Sequence, residues 1–495
     1  MRRLPIVVVL VIGIVLTLSA QYQDRSRVTW IEPGSASTLP EFDAFDSNEG
    51  TLGVLNASGP VETKGHPFFT ALGTNGRACV NCHQPTYGMS VSVAGLLERW
   101  RETDGKDPVF DAFDGSNCPG LPQNQDKSHS LLLNRGLFRI PLPWPPRSAD
   151  GSPKRVEFTI EVVRDPTGCN TSPRYGLKSV EPTISVYRRP RVAGNLKYVV
   201  SGGRPIVLKT GTLSDVDPET GKPVGMNLMS DAREATLRTQ AVDAIMGHEQ
   251  AHEAPSRQQI DKIVEFESQV YVAQQAHIFG GPLAVAGGPP GLGVASLRDH
   301  RAGVLGDNDY DPVFGLFTAW KGDDYYRSSV ARGADIFMFR QFWLRDATHI
   351  NSIGLGNPLK RTCATCHNAQ MTGQDLSAGW VDVGTTNYPT WTEASAESSE
   401  LPVFKITCSR DADPHPYLGR VIYTTDPGRA LISGRCVDVG SIVMQQLRGL
   451  AARAPYFANG SAKTLREVVD FYDRRFDMKL SDQEKEDLIN FLGAL

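Results

Sequence analysis

Apolar residues recur with helical spacing most regularly near the C-terminus of the chain. The run "LREVVDFY" follows Thr464, and "KEDLINFLGAL" closes the sequence shortly after Ser481. A hydroxyl residue followed three positions later by Glu forms a capping box, and Glu467 and Glu484 complete that pattern. We therefore predict two capped terminal helices. The residues of the second helix that are predicted to face inward are Leu488, Ile489, Phe491 and Leu492.

Further helical patterns lie in the middle of the chain. One covers residues 231–252, and a second helix is predicted to start at Ser256, directly after Pro255. Another helix is predicted in "DDYYRSSVARGADIFMFRQ", at 323–341. The intervening "GGPLAVAGGPPGLG", at 280–293, interrupts regular structure because Gly and Pro break helices and strands. We interpret it as a loop or a domain linker.

Three runs rich in β-branched and aromatic residues interrupt the helical pattern. They read "VEFTIEVV", "TISVYRR" and "KYVV", and they have the composition of short strands. They follow turn-rich sequence that includes "PLPWPPRSADGSP". Because helical segments dominate the remainder, we predict a mainly α protein with an irregular, partly β insertion.

Residues 1–20 have the layout of an export signal. Two arginines precede an unbroken apolar run from Pro5 to Leu18, and the small residues Ser19 and Ala20 follow. The run is short for a bilayer span, so we predict a signal peptide or, alternatively, an uncleaved N-terminal anchor. Either form predicts a periplasmic protein whose contact with the membrane is limited to this segment.

Composition narrows the classes of function. The chain has 495 residues, for which more than one domain is expected, and a hydrophobic content of 40%, which fills ordinary cores. The net charge is -4 at pH 7 and the pI is about 6.2, so the basic surplus of nucleic-acid-binding proteins is missing. We therefore predict no nucleic-acid partner.

The motif Cys-x-x-Cys-His occurs twice, in "GRACVNCHQP" and in "RTCATCHNAQ". Two thiols at this spacing form thioethers with the vinyl groups of haem c, and the adjacent imidazole becomes the proximal iron ligand. A redox-active thiol pair does not need the histidine, and a zinc site usually needs a second ligand pair nearby. Two copies in an exported chain therefore predict two covalently attached haem c groups. Their attachment residues are Cys79, Cys82 and His83 for the first haem, and Cys363, Cys366 and His367 for the second.

Four further cysteines lie outside the two motifs. An oxidising compartment favours disulfides between them, and the simplest, local pairing joins Cys118 to Cys169 and Cys408 to Cys436. Four cysteines allow three arrangements, so the sequence leaves the connectivity open. Buried free thiols are the alternative.

The segment "LRGLAARAPYFANGSAKTLREVVDFY", at 447–472, resembles the bacterial diheme cytochrome c peroxidase superfamily when it is taken together with the two haem motifs. That superfamily includes the methylamine dehydrogenase maturation enzyme and, more distantly, diheme rubber oxygenases. The resemblance implies two cytochrome c-like helical haem domains, at 45–320 with the insertion and at 321–495. It also implies a reactive N-terminal haem, a C-terminal haem that relays electrons, and a periplasmic electron donor. The family's inter-domain calcium site is not recognisable in this sequence.

The segment "SDAREATLRTQ" resembles the family's Trp-Asp-Gly-Arg-x-x-x-Leu-x-x-Gln pattern and keeps its last residue at Gln240. Ser230 stands at the position of the family's tryptophan, which carries electrons between the haems. Gln250 stands at the position of the glutamate that handles the peroxide proton, and an amide does not titrate usefully. His248 and Glu249 are the predicted substitutes, since a histidine near the open haem face could bind iron or shuttle protons. A solvated polar helix end is the alternative.

The second haem needs a ligand opposite its proximal histidine. Tyr472 falls where the family places this ligand, and Met478 is the second candidate iron ligand. A phenolate favours ferric iron and a thioether raises the potential, while an ordinary core tyrosine is the alternative. Arg448 is predicted to pair with a haem propionate, or otherwise to be a surface arginine. Met89 and Met371 follow their histidines too closely to reach the other haem face and are predicted to be packing residues.

These features together predict an exported diheme c-type cytochrome oxidoreductase with peroxidase-like activity toward peroxide or another small molecule. A haem-dependent oxygenase acting on an apolar substrate is one alternative, and a non-enzymatic electron carrier is another. An open face at the first haem distinguishes either enzyme from a carrier. An apolar channel in place of a charged docking face distinguishes an oxygenase from a peroxidase.

Overall fold

The structure is a computed structural model. It describes residues 30–148, 150–200, 228–299, 316–348, 350–352, 355–367, 380–388 and 399–495. The predicted signal or anchor at 1–20 and the predicted packing residue Met371 lie outside these residues. Within them, no helix is both long enough and apolar enough to cross a membrane.

The α-helices of the described residues are distributed along the whole chain. In chain order they are α1 (Val93–Thr103), α2 (Ser130–Arg135), α3 (Leu196–Val200), α4 (Leu237–Gly247), α5 (Arg257–Gln269), α6 (Gly293–Asp299), α7 (Tyr325–Phe339), α8 (Cys363–Cys366), α9 (Ala430–Ser433), α10 (Leu465–Phe476) and α11 (Asp482–Gly493).

The strands are similarly dispersed. In chain order they are β1 (Thr38–Leu39), β2 (Phe42–Ser47), β3 (Gly50–Asn56), β4 (Val61–Glu62), β5 (Phe138–Pro143), β6 (Phe158–Arg164), β7 (Thr183–Arg188), β8 (Val270–His277), β9 (Gly281–Pro282), β10 (Phe342–Leu344), β11 (Leu359–Arg361), β12 (Trp380–Val381), β13 (Val403–Cys408), β14 (Val421–Thr424) and β15 (Ile442–Val443). Helices account for 31% and strands for 20% of the structure. The predicted mainly α class is therefore wrong, and the protein is mixed α and β.

The first Cys-x-x-Cys-His motif packs against a four-stranded antiparallel sheet with the order β2-β3-β8-β9. The two central strands contribute Val54 and Val272 to a buried cluster that also holds Ala78 and Val80 of the motif segment. Strand β8 follows α5, whose capping box begins at Ser256 and confirms the predicted helix start. The motif is thus anchored to a sheet that joins two distant parts of the chain.

The C-terminal helices form the core behind the second motif. Helix α7 lies close to α11 at Gly333. A Cβ atom at this position would collide with the carbonyl oxygen of Asp487, so the contact requires glycine. The Ser329 hydroxyl donates to the Asp487 carboxylate at 2.7 Å and joins the same two helices. The predicted helix at 323–341 is thereby confirmed.

The two predicted terminal helices are confirmed, with one difference at a cap. Ser481 accepts from the Glu484 amide, and the Glu484 carboxylate accepts from the Ser481 amide at 2.9 Å, as in a capping box. Thr464 accepts from the Glu467 amide, but the Glu467 carboxylate accepts from Lys463, one residue earlier than predicted. Of the residues predicted to face inward, Leu488, Phe491 and Leu492 are buried, and Ile489 is partly buried.

A three-stranded antiparallel sheet with the order β14-β13-β6 joins residues from both sides of the predicted boundary between 45–320 and 321–495. That boundary stays a prediction.

Cys408 at the end of β13 lies against Cys436, with 5.8 Å between the Cα atoms, and Cys118 lies against Cys169 at 5.3 Å. Both separations suit a disulfide, so the structure pairs the cysteines in the local arrangement.

Two of the three predicted strands form in the structure, and the third does not. "VEFTIEVV" and "TISVYRR" form β6 and β7, but "KYVV" forms the short helix α3 and its predicted strand is wrong. The preceding Asn195 has a φ of 59° and accepts from the Tyr198 amide, which starts the turn. Leu196 and Val199 are buried in one cluster, whereas Tyr198 is buried in another. Tertiary packing therefore overrides the β propensity of this run.

Candidate functional site

The first motif forms a tight turn that brings together the two cysteines and the histidine predicted to hold a haem. The amides of Cys82 and His83 both donate to the Cys79 carbonyl at 3.1 Å. The Nδ1 atom of His83 lies 3.1 Å from the Met89 carbonyl and must donate to it. Burial lowers the pKa of His83 to about 4, so the ring is neutral and its Nε2 lone pair remains available for a metal ion. Met89 is fully buried, which confirms it as a packing residue.

The first cavity, of about 160 Å³, opens beside this turn. Its lining includes all three motif residues and all three candidate catalytic residues. Its ionisable and polar members include Cys79, Cys82, His83, Arg77, Asp114, Gln240, His248, Glu249 and Glu267. The structure therefore brings together the haem-attachment residues, which were predicted from the motif, and the candidate catalytic residues, which were predicted from a different segment.

His248 belongs to a polar network rather than to a fully solvated helix end. Its Nδ1 atom lies 2.6 Å from the Asp114 carboxylate, which is 134 residues away in sequence. Asp114 is buried and also forms an ion pair with the buried Arg77. An ionised carboxylate can only accept hydrogen bonds, so Nδ1 of His248 donates and Nε2 is left as an acceptor. Asp114 was not predicted as a site residue, because no local motif connects it to His248.

Glu249 contacts the motif itself. Its carboxylate accepts from the Leu72 amide at 2.9 Å, and its other oxygen lies 3.7 Å from the Cys79 sulfur. Burial raises the pKa of Glu249 to about 7, although the hydrogen bonds from Leu72 and Cys79 act in the opposite direction. The same residue accepts from the Thr74 amide through its carbonyl. Glu249 therefore fixes the loop that leads into the first motif.

Within the part of the chain that the structure describes, two oxygen atoms of residues lining the first cavity have no hydrogen-bond partner. They are Oε1 of Gln240 and Oε2 of Glu267, and both are buried. Glu267 is 4% exposed, and burial raises its pKa to about 8. A buried polar atom without a partner is unusual and requires an explanation. Glu267 was missed in the sequence, where it is one of several acidic residues on the helix predicted from Ser256.

The second motif opens a separate cavity. Helix α8 carries both cysteines, and the His367 amide donates to the Cys363 carbonyl at 2.9 Å. The second cavity has a volume of about 210 Å³, and no Asp or Glu lines it among the described residues. Its lining is mainly aliphatic and aromatic, with residues such as Phe337, Leu465 and Val469.

Both candidate axial ligands, Tyr472 and Met478, line the second cavity. Tyr472 lies on α10, and its pKa is raised because the hydroxyl is buried and the sulfurs of Cys363 and Cys366 lie nearby. Met478 is buried and follows the end of α10. The structure therefore places both side chains where a ligand is needed, and the choice of Tyr472 stays a prediction.

Other predicted positions differ in their placement. Arg448 is fully buried, so it is not a surface arginine, and it donates to the Gly291 carbonyl at 2.7 Å. It lines neither cavity among the described residues, and its pairing with a haem propionate stays a prediction. Ser230 lines the first cavity, and its carbonyl accepts from the Val443 amide. Gln250 has a φ of 55° and lines neither cavity among the described residues.

The motif cysteines fit a covalently attached haem c. None of them is joined in a disulfide within the described residues, whereas the other four cysteines are paired. Burial raises the pKa of Cys82 to about 11 and that of Cys363 to about 12. Neither is thus a ready nucleophile, which disfavours a redox-active thiol pair. Among the described residues, no group of three or more His, Cys, Asp or Glu side chains is arranged as a metal site.

Known proteins show limited similarity to this chain. No protein-family profile matches it. The cytochrome-c peroxidase IdrP1 of Pseudomonas sp. (strain SCT) is 28% identical over 243 residues. The match covers 43% of this chain and 60% of that relative, so it spans less than two thirds of the relative's length.

Two solved structures are similar over 63% of this chain. One is the hydrazine synthase of Kuenenia stuttgartiensis, matched over 73% of its chain with 14% identity and a TM-score of 0.29. The other is a MauG-like protein associated with microbial copper homeostasis, matched over 76% of its chain with 15% identity and a TM-score of 0.27. Neither structural similarity bears on the activity of this chain.

The sequence relative is itself a cytochrome-c peroxidase, and each Cys-x-x-Cys-His motif of this chain lines its own cavity. The predicted resemblance of the chain to the bacterial diheme cytochrome c peroxidase superfamily is therefore confirmed.

Proposed function

We propose that the chain is a periplasmic diheme c-type oxidoreductase with peroxidase-like activity. The observation that carries this proposal is the difference between the two cavities. The first motif shares its cavity with groups that can move or hold a proton. The second shares its cavity with apolar side chains and two candidate axial ligands. A reactive site and an electron-relay site are expected to differ in this way. The similarity to a cytochrome-c peroxidase supports oxidoreductase activity at the level of the superfamily.

Each motif would hold one haem through thioethers and a proximal histidine. The residues are Cys79, Cys82 and His83 in the first cavity, and Cys363, Cys366 and His367 in the second. When bound, the haems supply iron for peroxide reduction and for one-electron storage. The hydrogen bond from His83 to the Met89 carbonyl orients the imidazole and raises its basicity as a ligand.

His248 is the residue that we assign to proton transfer in the first cavity. Asp114 fixes the tautomer in which Nε2 accepts, and Arg77 in turn holds Asp114 in place. Nε2 can then take a proton from a bound peroxide and return it to the departing oxygen. A positioned acid–base group of this kind contributes about 10²–10⁴-fold to a rate.

The other polar groups have supporting roles. Glu267 is protonated at neutral pH, so it can donate a hydrogen bond or a proton inside the first cavity. The free oxygen of Gln240 can accept from a bound hydroperoxide. Glu249 positions the segment before the first motif by accepting from the Leu72 amide. Tyr472 is the ligand that we assign to the second haem, where a phenolate would keep the iron mainly ferric.

The function is tested on the purified full-length protein with an artificial electron donor. We expect an intact mass that exceeds the polypeptide by two haems, and peroxide consumption that depends on the donor. Oxygen consumption driven by an apolar substrate, without peroxide turnover, would identify an oxygenase instead. Reversible redox chemistry with no turnover of either kind would identify an electron carrier.

A further inference from the structure

A short segment separates the two cavities. Arg189 and Pro190 line both of them, and among the described residues they are the ones that the two linings share. Arg191 continues the segment along the first cavity, and Arg453 faces it from the lining of the second. We call residues 189–191 the wall segment.

Two arginines at this wall are deeply buried and have no carboxylate partner. Arg189 and Arg453 are each 9% exposed. Arg189 donates only to backbone carbonyls, those of Arg135, Val91 and Arg453, at 2.8 to 3.1 Å. Arg453 donates to the Gln446 and Arg448 carbonyls, and its Nε has no hydrogen-bond partner among the described residues. Neither guanidinium lies within ion-pair distance of an Asp or Glu of the described residues.

Two other buried arginines near the wall segment pair with carboxylates. Arg188, the preceding residue, forms a two-pronged pair with Asp426 at 2.7 and 2.9 Å and a further pair with Asp231. Arg77 is paired with Asp114. Among the described residues, carboxylates thus pair with Arg77 and Arg188 but not with Arg189, Arg453 or Arg191, which donates to the Val443 and Met444 carbonyls.

An unpaired buried cation is strongly unfavourable, because the charge has lost its water without gaining an anion. Burial lowers the pKa of Arg189 to about 9 and that of Arg453 to about 10, and the Arg453 charge adds to the effect at Arg189. The guanidinium fork matches the two oxygens of a carboxylate. A carboxylate that enters from a cavity would remove the penalty at both residues.

We propose that Arg189 and Arg453 form a carboxylate-binding site in the wall between the cavities, and that haem propionates from both sides occupy it. This inference rests on the proposed function, since it requires both haems. Arg189 borders both cavities, so it contacts a propionate of each haem. Arg453 borders only the second cavity and contacts the C-terminal haem alone. The wall segment thereby couples the electrostatics of the two redox sites.

The test removes one charge at a time from the full-length holoprotein. Arg189→Met should lower the midpoint potentials of both haems, because a nearby cation stabilises the reduced, less positive iron. Arg453→Met should lower only the potential of the C-terminal haem. Arg189→Lys keeps the positive charge, so the midpoint potentials of both haems should stay close to their wild-type values. Arg155→Met removes an exposed arginine that pairs with the exposed Asp411, and should leave both potentials unchanged.

Three results would overturn the inference. Unchanged potentials in an Arg189→Met protein that carries two haems would exclude a propionate contact, while leaving the proposed function intact. A shift of only one haem would exclude a shared site. A saturable response of the wild-type potentials to added acetate, absent in Arg453→Met, would show that a free carboxylate occupies the site. The acetate titration does not depend on the folding of Arg189→Met. An intact mass of the wild-type protein without haem would contradict the proposed function instead of this inference.

Discussion

The two cavities carry the same Cys-x-x-Cys-His motif but differ in the acidic and basic side chains that line them. Asp114, Glu249 and Glu267 line the first cavity together with His248. The second cavity is lined by no carboxylate of the described residues, and its candidate axial ligands are Tyr472 and Met478. In the proposed function, the motif accounts only for holding a haem, and the surrounding residues determine what the haem can do. Proton-transfer groups suit bond-breaking chemistry, whereas an apolar enclosure with two protein ligands suits electron storage.

The largest expected effect comes from removing one of the two haem sites. Cys363→Ala combined with Cys366→Ala should lower the intact mass by one haem and leave the first haem attached, because each cavity has its own thiols. Peroxide turnover should fall to near background, since the relay site is lost. Intact-mass spectrometry and the haem absorption spectrum measure both outcomes. A protein that retains two haems, or loses both, would contradict separate sites.

The next prediction concerns proton transfer in the first cavity alone. His248→Gln should lower kcat/KM for peroxide by about 10²–10⁴-fold, because the acid–base group is lost. The potential and spectrum of the C-terminal haem should stay as they are. His252→Gln, which replaces an exposed histidine nearby, is the matched control and should leave kcat/KM unchanged. Equal losses in the two variants would remove His248 from the mechanism.

Because the carboxyl of Glu267 is buried in the first cavity, we expect the free energy of unfolding to depend on pH. The pKa of this carboxyl is 4.5 when it is exposed and about 8 in the fold. As the pH rises, the unfolded chain therefore loses this proton at a lower pH than the folded protein does. Stability should therefore fall from pH 4.5 to pH 8 and then level off. Glu267→Gln should remove that decline and stabilise the protein at pH 8 by a few kcal/mol relative to wild type.

Urea unfolding of wild type and variant at pH 5 and pH 8 measures this effect. Glu265→Gln changes an exposed residue of the same helix and should follow the wild-type profile. Parallel profiles for wild type and Glu267→Gln would show that the carboxyl is already ionised in the fold.

The smallest expected effect is a shift of one potential in the second cavity. Tyr472→Phe should raise the midpoint potential of the C-terminal haem and alter its low-spin ferric signal, because the phenolate that favours ferric iron is removed. Met478→Leu should change neither. If only Met478→Leu changes them, the second site is a thioether-ligated electron store and the tyrosine assignment is wrong.

The elements that the sequence predicted well have local causes. The α5 helix starts at Ser256 and α11 starts after Ser481, because each serine and the residue three positions later satisfy the first helical amides. The two motifs were recognisable because thioether chemistry requires a fixed spacing. The sheets were mostly missed because β3 pairs with β8, and β6 with β13, across long stretches of chain. No periodicity within a short window records such a pairing.

The same distinction holds for the candidate site. His248, Gln240 and Glu249 lie in one segment whose resemblance to the superfamily directed attention to them, and the structure places all three in the first cavity. Asp114 reaches His248 only through the fold. Arg189 lies in a segment that matched no motif, and its significance depends on the two cavities that meet there.

The most direct test of the difference between the cavities is the addition of peroxide to half-reduced protein, followed by optical and EPR spectroscopy. The protein lacking Cys363 and Cys366 supplies the reference spectrum of the first haem. We expect two distinct haem signals, of which only the N-terminal one has an open coordination position. Peroxide should change that signal first, and the signal of the C-terminal haem should change only afterwards. Peroxide binding at the C-terminal haem, or two low-spin haems that do not respond, would contradict the assignment of a reactive and a relay site.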